Sequence, residues 1–314
     1  MNNNLNQDIL KLKIEKNAVI LAHYYQLPEI QDIADYVGDS LGLAQKATKT
    51  DADIIVFAGV HFMAETAKII NPHKKVILPD IDAGCSLADS CNAESLSIFL
   101  KDYPDHTVIS YINCSAEVKS LSDIIVTSGN AVKIVESLPE NEKIVFAPDK
   151  NLGAYINSVT GRKMVLWNGT CVIHDIIEAE EVLKIKIGHP DAKIISHPEC
   201  NAALLEISDF IGSTTAMISF IRSDKSERYI IATETGILHQ MKKEMPQKEF
   251  IIVPADESCA CNDCKYMKMN TIEKLYDCLL NEKPEIILAE DLMIKARKPI
   301  MKMLEMSKNM HLIK

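Results

Sequence analysis

The chain has 314 residues, 47% of them hydrophobic, and a formal net charge of −10. That is enough apolar material for a large core, and the length favours two or three compact units over one domain. The acidic balance argues against a broad nucleic-acid footprint, which needs clustered Lys and Arg, but leaves room for anionic small molecules bound at helix starts.

Residues 1–17 carry no apolar signal core, and no apolar run approaches the roughly 18 residues of a membrane span. The chain is therefore expected to be cytoplasmic, with no membrane or nucleic-acid partner. From residue 18 onward, short β-branched apolar runs alternate with helical stretches, the signature of parallel strands buried on both faces. The first run ends in His23, Tyr24 and Tyr25. A helix start follows at Gly38, Asp39 and Ser40, then an apolar run over 54–60 and a strand over 76–80 stopped by Pro79 and Asp80. Cys85 lies just beyond, behind Gly84.

The pattern then returns. Residues 107–114 form an apolar strand ending in Tyr111, Asn113 and Cys114, followed by a helix start at Thr127, Ser128 and Asn130. A strand over 144–149 is stopped by Pro148 and Asp149, and a longer path through 164–171 leads to Cys171. It returns once more over 192–200, ending in His197, Glu199 and Cys200, with a helix start at Gly212, Ser213 and Thr214 and a strand over 251–256 stopped by Pro254 and Asp256. The steps from His23 to Tyr111 and from Tyr111 to His197 are 88 and 86 residues. Fixed-period similarity signals a repeat architecture. The expected fold is α/β: three similar αβα units with parallel sheets about a pseudo-threefold axis, strand ends pointing into one central cavity. The expected division is 1–90, 91–178 and 179–268, with a helical tail over 269–314 packing on the first unit. The three hydroxyl-bearing helix starts are expected to be N-caps that also face anions.

Nine cysteines, an odd number in a chain of this length, favour metal or catalytic use over disulfides. Cys278 sits at helical spacing with Leu275 and is expected in the core, and Cys114 and Cys200 are expected to be buried fillers. Only Cys261 and Cys264 form a Cys-x-x-Cys pair, so a zinc ribbon lacks its second pair. Cys85, Cys171 and Cys264 each fall near the end of a repeat. Three thiolates meeting on an axis leave one coordination position open, which suits an iron–sulfur cluster acting as a Lewis acid.

The motifs around His23, Tyr25 and Gln26; Asp39 and Ser40; Glu65 and Thr66; Cys85 and Ser86; Tyr111, Asn113 and Cys114; Asn168 and Cys171; His197, Glu199 and Cys200; Ser213 and Thr214; and Cys264 through Asn270 make the chain resemble the quinolinate synthase family over nearly its whole length. The resemblance implies condensation of iminosuccinate (iminoaspartate) with dihydroxyacetone phosphate to quinolinate, for NAD biosynthesis. It implies a [4Fe–4S] cluster on Cys85, Cys171 and Cys264, and substrate contacts from His23, Ser40, Tyr111, Asn113, Ser128, His197, Glu199 and Thr214. Tyr25 resembles a catalytic residue of the family. An aspartate-oxidising enzyme would supply the unstable imine. Two departures stand out: Lys265 occupies a position often held by proline, and Cys259 and Cys261 are separated by a single residue. Cys264 is preferred over both because residues 266–270 follow it.

Enolisation and imine chemistry require proton transfers. Glu199 is the expected general base, His197 its acid or orienting partner, and His23 and Tyr25 the donors to substrate oxygens; His174, close to Cys171, is a candidate neighbour of the metal. Three other readings compete: an iron–sulfur hydro-lyase of a hydroxy acid, a redox or iron sensor switched at Cys259, Cys261 and Cys264, and a plain α/β protein with buried thiols.

Overall fold

A computed structural model describes residues 2–254 and 262–313. Among them, twelve strands form three four-stranded sheets, every neighbouring pair parallel. The first sheet holds β1 (Ala18–His23), β2 (Tyr36–Gly38), β3 (Ile54–Ala58) and β4 (Lys75–Ile77). The second holds β5 (Thr107–Tyr111), β6 (Ile124–Val126), β7 (Ile144–Ala147) and β8 (Val165–Leu166). The third holds β9 (Lys193–Ser196), β10 (Phe210–Ile211), β11 (Arg228–Ala232) and β12 (Glu249–Ile252). The spatial orders are β2-β1-β3-β4, β6-β5-β7-β8 and β10-β9-β11-β12, one topology used three times. This is the α/β architecture of three similar units expected from the repeat. The strands are apolar runs because helices cover both faces; all five residues of β3 are buried.

Each unit is closed by the same two long-range bonds. The carboxylates of Asp35, Asp123 and Asp209 each accept the amide N–H of a residue fifteen positions earlier, in Ile20, Val108 and Ile194, all at 2.8 Å. Their own amides donate back to the carbonyls of the same three residues. A cation then caps the C-terminal end of the helix that follows the second strand of each unit. Lys74 donates to the carbonyls of Thr50 and Ala52, Arg162 to those of Val135 and Leu138, and Lys248 to those of Ile221 and Asp224. Orphan carbonyls at a helix C-terminus attract positive charge, so the same solution recurs.

Two features differ from the sequence expectation. The proline-and-acid stops at Pro79, Pro148 and Pro254 do not mark equivalent strands. The first and third follow β4 and β12, whereas Pro148 follows β7, the equivalent of β3 and β11. Proline ends any parallel strand that needs no further N–H, so the signal carries no position in the sheet. The tail, expected to pack on the first unit, divides. Helix Ile272–Asn281 lies against helix Asn2–Glu15 of that unit, but helix Glu290–Asn309 packs mainly against helix Ala116–Ser120 and β6 of the second, as well as helix His61–Ile70 of the first. Ser307 accepts a hydrogen bond from Asn130 at 3.0 Å, and Met303 is buried beside it on the same helix. Cys278 is buried, as expected of a core residue. No helix among the described residues is long and apolar enough to cross a membrane.

Candidate active site

β1, β5 and β9 occupy the position where strand order reverses, the point at which open parallel sheets bind ligands. His23 and Tyr111 are the last residues of β1 and β5, and His197 is the first residue after β9. All three face one cavity. Every sequence-predicted site residue lines it: His23, Tyr25, Ser40, Tyr111, Asn113, Ser128, His197, Glu199 and Thr214, with Cys85, Cys171 and Cys264. Val60, Phe62, Met63, Ile173 and Met267 supply apolar wall.

The first and third units share a local device. The amide of Tyr25 donates to Nδ1 of His23 at 3.2 Å, and the amide of Glu199 lies 3.4 Å from Nδ1 of His197. Glu199 is the hub. Its carboxylate lies 2.7 Å from His174 Nδ1 and 3.2 Å from His197 Nδ1, and accepts from Asn113 Nδ2 at 3.4 Å. The His174 and His197 rings stack with centroids 4.6 Å apart. Burial alone would raise the Glu199 carboxyl, but the imidazoles of His174 and His197 outweigh it and hold the acid below its ordinary range. His23 is pushed down to about 3, first by burial and then by His197, so its imidazole is neutral. Burial lifts Tyr25 and Tyr111 well above the usual phenol range, keeping both as donors. The Tyr25 hydroxyl sits 2.7 Å from Thr233 Oγ1, which is itself 2.9 Å from His174 Nε2. The arrangement is one ionised carboxylate between two imidazoles, with neutral His23 and the protonated phenols of Tyr25 and Tyr111 in the same cavity.

The helix starts differ in detail from expectation. The N-caps are Asp39, Asn130 and Ser213, not Ser40, Ser128 and Thr214. Asp39 accepts from the amide of Gly42 and Ser213 from that of Ala216. Ser40 and Thr214 are thus first helical residues, whose hydroxyls are not consumed by capping. Ser128 Oγ lies 3.3 Å from His197 Nε2.

Cys85 and Cys171 each stand in extended backbone just before a short helix, Ser86–Asp89 and Val172–Asp175. Cys85 is pushed up to about 12, chiefly by burial, and burial raises Cys171 and Cys264 too. All three are unpaired thiols. The ligand atoms of Cys171, His174 and Glu199 lie within 4.8 Å of one another and could hold a metal ion. Cys85, Cys171 and Cys264 make no such tight group, although they line the same cavity. Cys259, Cys261 and Asp256 lie outside the described residues.

The family described as Quinolinate synthetase A protein matches residues 7–305. The chain belongs to this family. Curated relatives named quinolinate synthase include those of Microcystis aeruginosa (59% identical over 299 residues), Thermosynechococcus vestitus (58% over 300) and Synechocystis sp. (58% over 299). Each alignment covers 95% of this chain and 94% of the relative.

Three lining residues were not assigned to the site from sequence: Asp39 and Thr127, read only as parts of helix starts, and Glu234, which follows β11. Asp149, Thr233 and Lys268 stand behind the lining and hold it. Asp149 and Thr233 share one recoverable signal: they follow the third strand of their units, at the end where the site lies.

Proposed function

We propose that the central cavity is the active site of a quinolinate synthase, condensing iminosuccinate with dihydroxyacetone phosphate and releasing phosphate and water. The observation that carries this reading is convergence: three strand ends and three cysteines, far apart in sequence, line one cavity in a chain 59% identical to a named quinolinate synthase. Cys85, Cys171 and Cys264 would hold a [4Fe–4S] cluster. Bound there, the cluster supplies a Lewis acid at its open iron, suited to assisting loss of water.

The chain's own groups do the rest. Two anionic substrates need fixed donors. Ser40 and Thr214 offer hydroxyls and first-turn amides at helix starts to carboxylate and phosphate oxygens. Ser128 and Asn113 add side-chain donors from the second unit. Glu199 takes protons at its carboxylate, being ionised and within hydrogen-bond reach of two imidazoles. His197 passes protons between Glu199 and the Ser128 side of the cavity. Tyr25 and Tyr111, kept protonated by burial, donate to substrate oxygens, with neutral His23 beside Tyr25 at a ring separation of 4.5 Å. The apolar wall from Val60 to Met63 keeps water from the unstable imine, which an aspartate-oxidising enzyme would deliver.

The test is quinolinate formation under anaerobic conditions from freshly generated iminosuccinate and dihydroxyacetone phosphate. The reading predicts turnover dependent on both substrates and stoichiometric release of phosphate. Failure to form quinolinate with a loaded cluster, or dehydration of a hydroxy acid instead, overturns it.

A further inference from the structure

Two of the three cysteine loops are tied to their sheets by buried carboxylates at matching places. Asp149 stands two residues beyond β7, and Glu234 two residues beyond β11. Both are fully buried. Asp149 uses one oxygen to accept the Leu152 amide at 2.7 Å, in its own turn, and the other to accept the Cys171 amide at 3.2 Å. Glu234 uses one oxygen to accept the Gly236 amide at 2.7 Å, again in its own turn, and the other to accept the Cys264 amide at 3.1 Å. The partners are 22 and 30 residues apart, so neither bond is a local turn closing on itself. The corresponding position of the first unit is apolar Val60, and the loop before Cys85 is held by backbone instead, with the His61 amide donating to the Ala83 carbonyl at 2.7 Å.

Burial pushes both acids up, and Glu199 pushes Asp149 further, so their positions favour the neutral form. Yet both oxygens of each accept an amide N–H, which only the ionised form satisfies on both sides. Each acid faces two N–H groups, one per oxygen. An amide would turn its own N–H₂ against one of them, and alanine would leave both without partners. Only a carboxylate fastens strand end and cysteine loop together. At Glu234 the same oxygen also accepts from Lys268 Nζ at 2.8 Å, and Lys268 donates to the Tyr25 carbonyl at 2.8 Å, which extends the tie to the first unit.

We propose that Asp149 and Glu234 are positioning residues that hold Cys171 and Cys264 in cluster-binding geometry, while the Cys85 loop has no carboxylate at the matching strand end, where Val60 stands. The inference rests on the reading of these cysteines as cluster ligands. The experiment compares anaerobically prepared wild type, Asp149→Asn, Glu234→Gln and, as a structural control, Asp123→Ala, whose carboxylate closes the second unit at the Val108 amide. Iron and sulfide content, electron paramagnetic resonance of the reduced cluster, and the rate at which a chelator bleaches the visible absorption are measured, with thermal melting of each protein. Partners behind metal ligands typically change metal retention by 10–100-fold. The expected result is bleaching about 10-fold faster in Asp149→Asn and Glu234→Gln with an altered resonance signal, and wild-type bleaching and signal in Asp123→Ala despite its lower melting point. Bleaching and signal matching wild type in both amide variants overturns the proposal, as does equal acceleration in Asp123→Ala. If one amide variant does not fold, the other decides. Wild type that binds no cluster refutes the cysteine reading instead.

Discussion

Gly236 of the third unit packs tightly against the Tyr25 backbone of the first, and Gly236→Ala tests whether that approach positions Tyr25. The backbone of Gly236 is right-handed helical, φ −58° and ψ −25°, so alanine suits the conformation. On backbone entropy alone the substitution would stabilise the protein by about 0.4–1 kcal/mol. Space decides otherwise. A Cβ on Gly236 would lie 2.8 Å from both Cα and the carbonyl carbon of Tyr25 and 2.9 Å from Glu234 Oε2. Backbone atoms cannot rotate away, and ordinary carbon contacts are about 3.5–4 Å. One of the two units must move by roughly 1 Å. Overpacking of this kind costs about 1–3 kcal/mol, and a 1 Å misplacement of reacting groups can cost about 100-fold in rate. The expectation is a lower melting temperature, kcat reduced by about 10–100-fold, and a cluster that a chelator bleaches faster than in wild type, because Glu234, one of the displaced groups, holds the Cys264 amide. Steady-state quinolinate formation, with melting curves and chelator bleaching, checks it. An alanine variant with raised stability and kcat within twofold of wild type refutes the close-approach argument.

Glu199→Gln keeps size and removes the charge that His174 and His197 stabilise; it should lower kcat by about 100-fold or more with the cluster retained, since general-base contributions reach that range. Asp35→Ala, Asp123→Ala and Asp209→Ala should each destabilise by about 1–2 kcal/mol in denaturant titrations, and add nearly independently because they close different units. Lys16 and Lys75 flank Glu282 at 2.7 and 2.5 Å and hold its carboxyl down to about 2 from an ordinary 4.5. A depressed acid contributes stability above its unfolded pKa and loses it as pH falls through the folded one. Glu282→Gln should therefore melt lower than wild type at pH 7, the difference fading from pH 4.5 toward 2 and shrinking in high salt.

The three-unit fold and the residues that line its cavity were legible in the sequence because both are written locally. His23, Tyr111 and His197 are polar residues at the ends of apolar strands, and nothing in a core requires polarity there. Cys85, Cys171 and Cys264 gained meaning only once the repeat gave them a common axis. What stayed hidden is held by long-range carboxylate bonds. Asp35, Asp123 and Asp209 look like solvated loop acids until the strand fifteen residues earlier is placed beside them. Asp149 was legible only as a strand stop, and Glu234 not at all, since their partners Cys171 and Cys264 belong to other loops. The N-caps were misplaced by one or two residues because Asp39, Ser40, Ser213 and Thr214 are all adequate cappers, and only geometry chooses among them. The tail's packing on the second unit also left no local mark.

The most direct test of the whole account is iron and sulfide analysis, with quinolinate formation measured on the same samples, of anaerobically purified wild type and of Cys85→Ser, Cys171→Ser, Cys264→Ser and the core variant Cys278→Ser. The account predicts a brown wild type and Cys278→Ser, each with equal iron and sulfide and full activity, and loss of both cluster and quinolinate formation in each of the other three. A colourless wild type, or an intact cluster in the Cys85, Cys171 or Cys264 variant, would contradict it.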